Sequence, residues 1–531
     1  MKPIVSYKQT TLGDDWDGIV VGSGPGGLST AAMMAKEGKR ILVLEQHYAA
    51  GGFTHVFKRK GYEWDVGLHY IGEVQSERSM IRRMFDYVSD SGIQWADMGE
   101  VYDRICFGDE QYPLHKGVSA FKDGLKARFP DEADAIDAYV ERVRDCQRSA
   151  KGFFVDKAIP PMLSAISGGL MRRSFLGYAK RTTLDVIREL TDDERLIGVL
   201  CGQWGDYGLP PAQSSFGIHS MVVRHYLRGG AYPVGGASVI ADNIAPVIQA
   251  AGGQVVTKAE VVRIDVEGKR AVGVTLADGR SFRAPWVCSG AGYLNTVQHL
   301  LAPEVSAQAG MAAQAEKIPR SMSHVCAYLG FQQTSEALRL PKANYWLYTD
   351  DFDHDAVVER YLADRSAPLP VTYISFPSAK DPDWDRRYPG RSTVEIITLA
   401  PFEWFAQWDG TRWMKRGDDY LAFKAEFTER LLAQLYRVEP QLEGQLDHCE
   451  LSTPLSTARF SGHKKGEIYG LAHTPERFQQ KHLRPHTAIK GLFLTGQDIA
   501  TAGIGGALAA GVVTASAITG RNLMGRVMKG A

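Results

Sequence analysis

Gly22, Gly24 and Gly27 keep the spacing G-x-G-x-x-G, and Glu45 follows at about the interval that brings a carboxylate to a ribose. Together they describe a dinucleotide cradle. Gly22 permits a tight turn, Gly24 lets a pyrophosphate reach the backbone, and Gly27 lets the following helix pack against the preceding strand. Ser23, Pro25 and Gly26 complete the loop and lead into a helix whose N-terminus favours anions.

These residues need particular elements around them. Gly18 to Val21 is a short apolar run suited to a buried parallel strand, Leu28 to Glu37 reads as a helix stopped by Gly38, and Ile41 to Leu44 as a second strand. Further on, Ala237 to Ala251 has a helical pattern ended by Gly252-Gly253. Gln254 to Val266 alternates as a strand, Ala271 to Leu276 pairs back, and Phe282 to Cys288 runs into Ser289-Gly290-Ala291-Gly292, which together predict a small antiparallel meander set in a parallel-sheet domain. Near the end, Gly491 to Gly496 forms another apolar strand closing on Gly496-Gln497-Asp498. Between these pieces, Pro130 to Asp145 is amphipathic, with Ile136, Tyr139, Val140 and Val143 on one face, while Met322 to Phe331 and Thr393 to Leu399 read as strands of a second sheet.

Composition bounds the partners. The 531 residues, 44% hydrophobic and 23% charged, are enough for two large cores, and 61 basic against 61 acidic residues favour no nucleic acid. Cys106, Cys146, Cys201, Cys288, Cys326 and Cys449 show no metal-like spacing and read as reduced thiols of a cytoplasmic protein; no metal site is expected. The N-terminus lacks the apolar core of a cleaved signal. Ile499 to Gly520 is uncharged over a near-spanning length, but its glycines and alanines suit a closely packed helix better than a bilayer. Ala158 to Arg181 is apolar and then basic, with Arg172, Arg173, Lys180 and Arg181, and suits either an anionic membrane surface or an amphipathic helix with solvated cations.

After Glu45 come Gly51-Gly52 and then Gly61-Tyr-Glu-Trp-Asp65-Val-Gly67. This order resembles the extended N-terminal signature of FAD enzymes of the amine oxidase and phytoene desaturase superfamily. GGFTHVFKRKGYEWDVGLHYIG, RGGAYPVGGASVIADNIAPVIQAAGGQVVTKAEV, SHVCAYLGF, GEIYGLAHTPERF and LRPHTAIKGLFLTGQDIATAGIGGALAAG resemble its retinol saturase and carotenoid isomerase branch. The matching pieces run from Asp17 to Gly511 and are weakest between about Gln75 and Gln213.

The resemblance implies an α/β fold, a Rossmann-like FAD-binding domain interleaved with an α+β substrate domain. The FAD domain would comprise residues 1–75, 228–295 and 485–531, and the substrate domain residues 76–227 and 296–484. It further implies that Gly51, Gly52, Asp65, Gly67, Val261, Gly290, Gly496 and Gly505 join the cradle around FAD, with Asp498 meeting the ribityl or pyrophosphate region. His69 and Tyr70 would lead toward the isoalloxazine, which Tyr232 would border; these three and His55, just after Gly51-Gly52, are the candidates for proton chemistry, against the reading of each as a packed, hydrogen-bonded side chain. The implied chemistry exchanges a hydride with flavin N5 at a carbon–carbon double bond, or its saturated counterpart, in a long hydrophobic lipid. A retinoid or carotenoid polyene and a fatty acyl chain are the two substrate classes, and a non-enzymatic prenyl carrier of the GDP-dissociation-inhibitor type is a third reading. The sequence leaves open the electron partner, whether oxygen, a quinone or a separate reductase, and the formation of a homodimer.

Overall fold

The computed structural model describes residues 2–529. A six-stranded, all-parallel sheet runs in the order Ile4–Ser6, Gln254–Thr257, Ile41–Leu44, Gly18–Val21, Val287–Ser289, Leu492–Leu494. Gly18–Val21 and Ile41–Leu44 are buried throughout, because a sheet covered on both faces needs continuous apolar runs. The helix Pro25–Lys36 joins them, with Pro25 in its first turn, where the ring's missing N–H is harmless. It therefore begins three residues earlier than the apolar pattern suggests.

One face of the sheet is covered by Pro25–Lys36, Val239–Ala250 and Gly503–Thr519, whose apolar side chains share a core with Met84 and Phe85. The small residues of the last helix allow close contact: a Cβ on Gly511 would stand 2.5 Å from that of Ser29. No described helix is long and apolar enough to cross a membrane. The other face carries the antiparallel meander Val261–Glu267, Arg270–Leu276, Ser281–Arg283.

Two expected strands are each divided. Lys258, at φ +56°, breaks Gln254 to Val266 between the parallel sheet and the meander. Phe282 to Cys288 is likewise shared between the two sheets, with Pro285, which has no N–H to donate, in the gap.

The second large sheet has seven strands, ordered Leu446–Ser452, His324–Phe331, Ser392–Leu399, Thr372–Ser375, Asn344–Tyr348, Val101–Phe107, Glu110–His115. The hairpin Val56–Arg59/Tyr62–Asp65 joins it to the first sheet. Tyr62 and Trp64 pack on Cys326 and Tyr328, and Trp64 Nε1 donates to Leu329 O at 2.8 Å. The chain from Asp65 to Tyr70 is thereby held where the two sheets meet. Helices cover the far side, including Ala133–Ala158, which begins as a 3₁₀ turn at Pro130–Glu132 and runs well past Asp145.

The basic segment divides its four cations between buried or paired and exposed positions. It forms one helix, Pro161–Ala179, but Arg172 is buried and its Nε lies 3.3 Å from Asp156 Oδ2, while Arg181 pairs with Glu189. Arg173 and Lys180 stay exposed, with no ion pair among the described residues.

Candidate functional site

A continuous cavity of about 670 Å³ starts at the C-terminal ends of Gly18–Val21 and Ile41–Leu44 and reaches the seven-stranded sheet. The crevice beside these strand ends is where open parallel sheets bind ligands. Gly22 makes its turn at φ +93°, and a Cβ on Gly27 would sit 2.1 Å from Gly22 O, so close packing of helix on strand requires glycine there. Glu45 is held from two sides: Ser23 donates to Oε2 from N–H at 2.9 Å and from Oγ at 2.7 Å, and the His47 N–H donates to Oε1 at 2.8 Å. Its carboxylate is thus fixed at the cavity wall before any ligand arrives.

The opposite end is apolar and aromatic, with Trp204, Met322, Tyr328, Trp346, Tyr373 and Leu399 among its walls. His69, His324 and Asp206 are titratable groups of this wall. His69 Nδ1 lies 2.8 Å from Glu395 Oε2, though poorly aligned for a hydrogen bond, and Glu395 Oε1 accepts from the Asp65 N–H at 2.8 Å. Burial and the Lys380 ammonium pull His69 down to about 4, so the ring is neutral at pH 7. Burial pushes Glu395 up to about 8, and burial with the adjacent Glu395 carboxylate raises Asp65.

Behind the wall lies a polar network. Lys380 Nζ donates to His69 O at 2.9 Å, to Ser375 Oγ at 2.8 Å and to Asn344 Oδ1, and burial pulls it down to about 7. Asp103 accepts from Asn344 Nδ2 at 2.9 Å, Gln203 Nε2 at 2.8 Å and Tyr70 Oη at 2.8 Å. Tyr70 Oη also lies 3.1 Å from Asp206 Oδ2, and burial together with the Asp103 charge pushes Asp206 well above the carboxylate range. The arrangement brings to one apolar chamber a carboxyl whose proton affinity burial and the Asp103 charge raise and an imidazole whose proton affinity burial lowers.

Residues 25–519 match the family described as flavin containing amine oxidoreductase. The chain belongs to that family. It is 37% identical to the all-trans-retinol 13,14-reductase of Homo sapiens, over 98% of this chain and 88% of the human protein. It is 25% identical to the chloroplastic prolycopene isomerase of Arabidopsis thaliana, over 91% of this chain and 79% of that protein. The structure of wild-type putrescine oxidase bound to putrescine shares the fold, with a TM-score of 0.61 at 15% identity, covering 95% of this chain and 99% of that one.

The residues present fit a flavin nucleotide. A Cβ on Gly24 or Gly496 would meet nothing within 4 Å, so both backbones border open space, and both line the cavity. At the aromatic end Trp204, Tyr328, Trp346 and Tyr373 line the cavity, flat side chains suited to bordering a bound planar ring.

Of the sequence candidates, Gly22, Gly24, Pro25, Gly26, Gly27, Glu45, Gly52, His55, Gly67, His69, Val261, Gly290 and Gly496 all line the cavity. Ser23 and Gly51 lie just behind it, where the Gly51 N–H donates to Ser23 Oγ at 3.1 Å. His55 Nδ1 is 2.6 Å from Gly52 O, and burial pulls the ring down to about 4.

Other candidates lie outside the wall. Asp498 accepts from the backbone N–H of Tyr293 at 2.7 Å and of Leu471 at 2.8 Å, bracing two loops, while Gln497 lines the cavity. A Cβ on Gly505 would meet Ile81 at 2.9 Å. Tyr70 stacks on Tyr226 at 4.1 Å, and Tyr232 Oη donates to Asp65, which also accepts from the Ala237 N–H at 3.2 Å.

Asp103, Asp206, Asn344, Lys380 and Glu395 went unread in the sequence. Asp103, Asn344 and Glu395 leave one signal there, a polar residue inside a strand, in VYDRICF, NYWLY and STVEIITL, while Asp206 and Lys380 lie outside the strands.

Proposed function

We propose that this protein is an FAD-dependent oxidoreductase that saturates, desaturates or isomerises a carbon–carbon double bond in a retinoid or carotenoid polyene. One observation carries the proposal. In a chain related along most of its length to a named retinol reductase, one cavity joins a dinucleotide cradle to an aromatic chamber holding only a few titratable groups.

FAD is favoured over a mononucleotide because Glu45 is placed and oriented as the acid that accepts ribose hydroxyls, and the glycine loop suits a pyrophosphate. The bound flavin supplies hydride exchange with carbon. The protein's own residues do the rest. Gly22 to Gly27 and Glu45 hold the nucleotide, and Trp204, Trp346, Tyr373 and Leu399 hold the polyene and keep water out. The chemistry also needs one proton at the neighbouring carbon, and the protonated Asp206 carboxyl is positioned to give it while neutral His69, steadied by Glu395, is positioned to take it.

A fatty acyl chain would meet the same apolar walls, but neither relative is named for one, and the aromatic side chains Trp346 and Tyr373, with ring centroids 4.4 Å apart, suit a conjugated system better. The electron partner is a separate molecule, since the sequence holds a single dinucleotide fingerprint: a reductase would donate electrons for saturation, and oxygen or a quinone would accept them for desaturation. Two measurements test the proposal. Heat-released cofactor resolved by chromatography should be FAD, and mass spectrometry of lipid extracts from cells with and without the protein should show a two-hydrogen or isomeric change in an isoprenoid polyene. Release of FMN alone, or a change confined to fatty acyl chains, would overturn it.

A further inference from the structure

Among the described residues, the corner between the helices Ala133–Ala158 and Pro161–Ala179 carries the most exposed apolar side chains. Met162 is 83% exposed, Ile166 85%, Leu170 79% and Leu163 56%, and Val155 stands beside them. Met162, Ile166 and Leu170 recur every four residues, so they form one stripe along the helix.

Packing fixes that stripe outward. The opposite stripe, Ser164, Gly168, Arg172 and Phe175, is buried against the neighbouring helix. There Ser164 Oγ donates to Asp156 Oδ1 at 2.7 Å, Arg172 pairs with Asp156, and a Cβ on Gly168 would come within 2.4 Å of the same carboxylate. A buried ion pair that the helix cannot leave without stranding a charge holds its rotation.

No charged residue occurs from Ala158 to Met171, and the two charges just before it, Asp156 and Lys157, are buried. Beyond this apolar stretch Lys151, Arg173 and Lys180 are exposed and make no ion pair among the described residues. A projecting apolar stripe bordered by unpaired cations matches the two layers of an anionic lipid surface, acyl chains below and phosphates above. Side chains exposed to four-fifths stand clear of the surface, whereas a stable dimer needs about 800 Å² of complementary surface from each partner. None of these side chains lines the cavity, so the observation is independent of the proposed chemistry.

We infer that this helical corner docks the protein on an anionic lipid bilayer, with Met162, Leu163, Ile166 and Leu170 entering the acyl boundary and Lys151, Arg173 and Lys180 at the headgroups. Docking is on one leaflet, since no described helix can span.

The test is flotation of the purified flavin-loaded protein with vesicles of phosphatidylcholine, alone or mixed with phosphatidylglycerol. The wild type should float with the mixed vesicles and lose binding in high salt. Ile166→Glu/Leu170→Glu should lower the floated fraction about tenfold with flavin content unchanged, and Lys151→Glu/Arg173→Glu should lower it on anionic vesicles. Ile166→Cys carrying a solvatochromic dye gives a second readout that needs no disruptive substitution, and its emission should shift to the blue on mixed vesicles. The inference is overturned if the wild type stays at the bottom of the gradient, if the double glutamate variant floats equally, or if the dye does not respond. It also falls if those glutamates only halve the mass seen by light scattering, which would make the stripe a contact between two copies.

Discussion

Replacing Glu395 by glutamine is the most informative perturbation of the site. The amide keeps the shape and an oxygen for the Asp65 N–H, now met at 2.8 Å, but cannot exchange a proton with His69 Nδ1, 2.8 Å from the other oxygen. Glu395 does not line the cavity, so flavin content should be unchanged. General acid–base groups contribute about 10² to 10⁴ in rate. A residue that acts through His69 belongs at the lower end, and kcat should fall about 100-fold, close to 2.7 kcal/mol in the barrier.

Stability should move the other way. Burial raises the folded-state value from 4.5 to about 8, so the neutral acid is the form the fold accepts. The wild type therefore loses stability as pH rises from the unfolded value through the folded one, by an amount on the order of 5 kcal/mol if Glu395 ionises in place. Glutamine does not titrate. The variant should match the wild type near pH 5, exceed it at pH 8.5, and show a flatter thermal midpoint against pH between these limits. Groups facing Glu395, chiefly Asp65, His69 and Lys380, remain in both proteins and leave a shared background slope. Parallel stability curves together with a kcat within about threefold of wild type would refute both the buried proton on Glu395 and its role behind His69.

Gly24→Val adds a side chain that meets no protein atom within 4 Å but projects into open space at the cradle. It should leave the apo-protein's thermal midpoint unchanged and abolish flavin absorbance; retained flavin would move the nucleotide elsewhere. Glu45→Ala removes the carboxylate that Ser23 and His47 hold at the cavity wall for ribose hydroxyls, and the loss of one charged hydrogen bond to the ligand, about 1.5 kcal/mol or more, should weaken flavin affinity at least about tenfold by titration calorimetry. Asp206→Asn keeps an acceptor for Tyr70 and removes the acid; turnover should fall about 100-fold with KM little changed, and a pure KM effect would make Asp206 a binding residue only.

The nucleotide end of the site was legible because its requirements are local. A turn at Gly22, a close approach at Gly27 and an acid after the second strand lie within thirty residues and leave a spacing in the chain. The strands at Gly18–Val21, Ile41–Leu44 and Leu492–Leu494 were legible for the same reason, as were the cavity-wall strands His324–Phe331 and Ser392–Leu399.

The aromatic end was legible only at His69, because the rest of it is assembled by tertiary packing. Glu395 sits in a strand that periodicity identifies correctly, yet its partner His69 is more than three hundred positions away. Tyr70 and Tyr232 are near the site in sequence but turn their hydroxyls to buried aspartates behind the wall. Asp498 illustrates the same limit: an acid after an apolar strand and glycine suits a ligand, and here it braces two backbone loops. A more productive rule for this chain would have asked where each lone charge in a buried strand finds its partner, since such charges require one.

The central claim is that this cavity performs flavin chemistry on an isoprenoid polyene, and its most direct test is an anaerobic single turnover. Flavin-loaded protein, oxidised or reduced with dithionite, is mixed with an all-trans retinoid, a carotenoid or an unsaturated fatty acid, and flavin absorbance and product mass are followed together. The account predicts that a retinoid or carotenoid is converted to a product differing by two hydrogens with a matching change in flavin redox state, or to a double-bond isomer whose formation requires bound flavin. Unchanged polyenes alongside a converted fatty acid would contradict it.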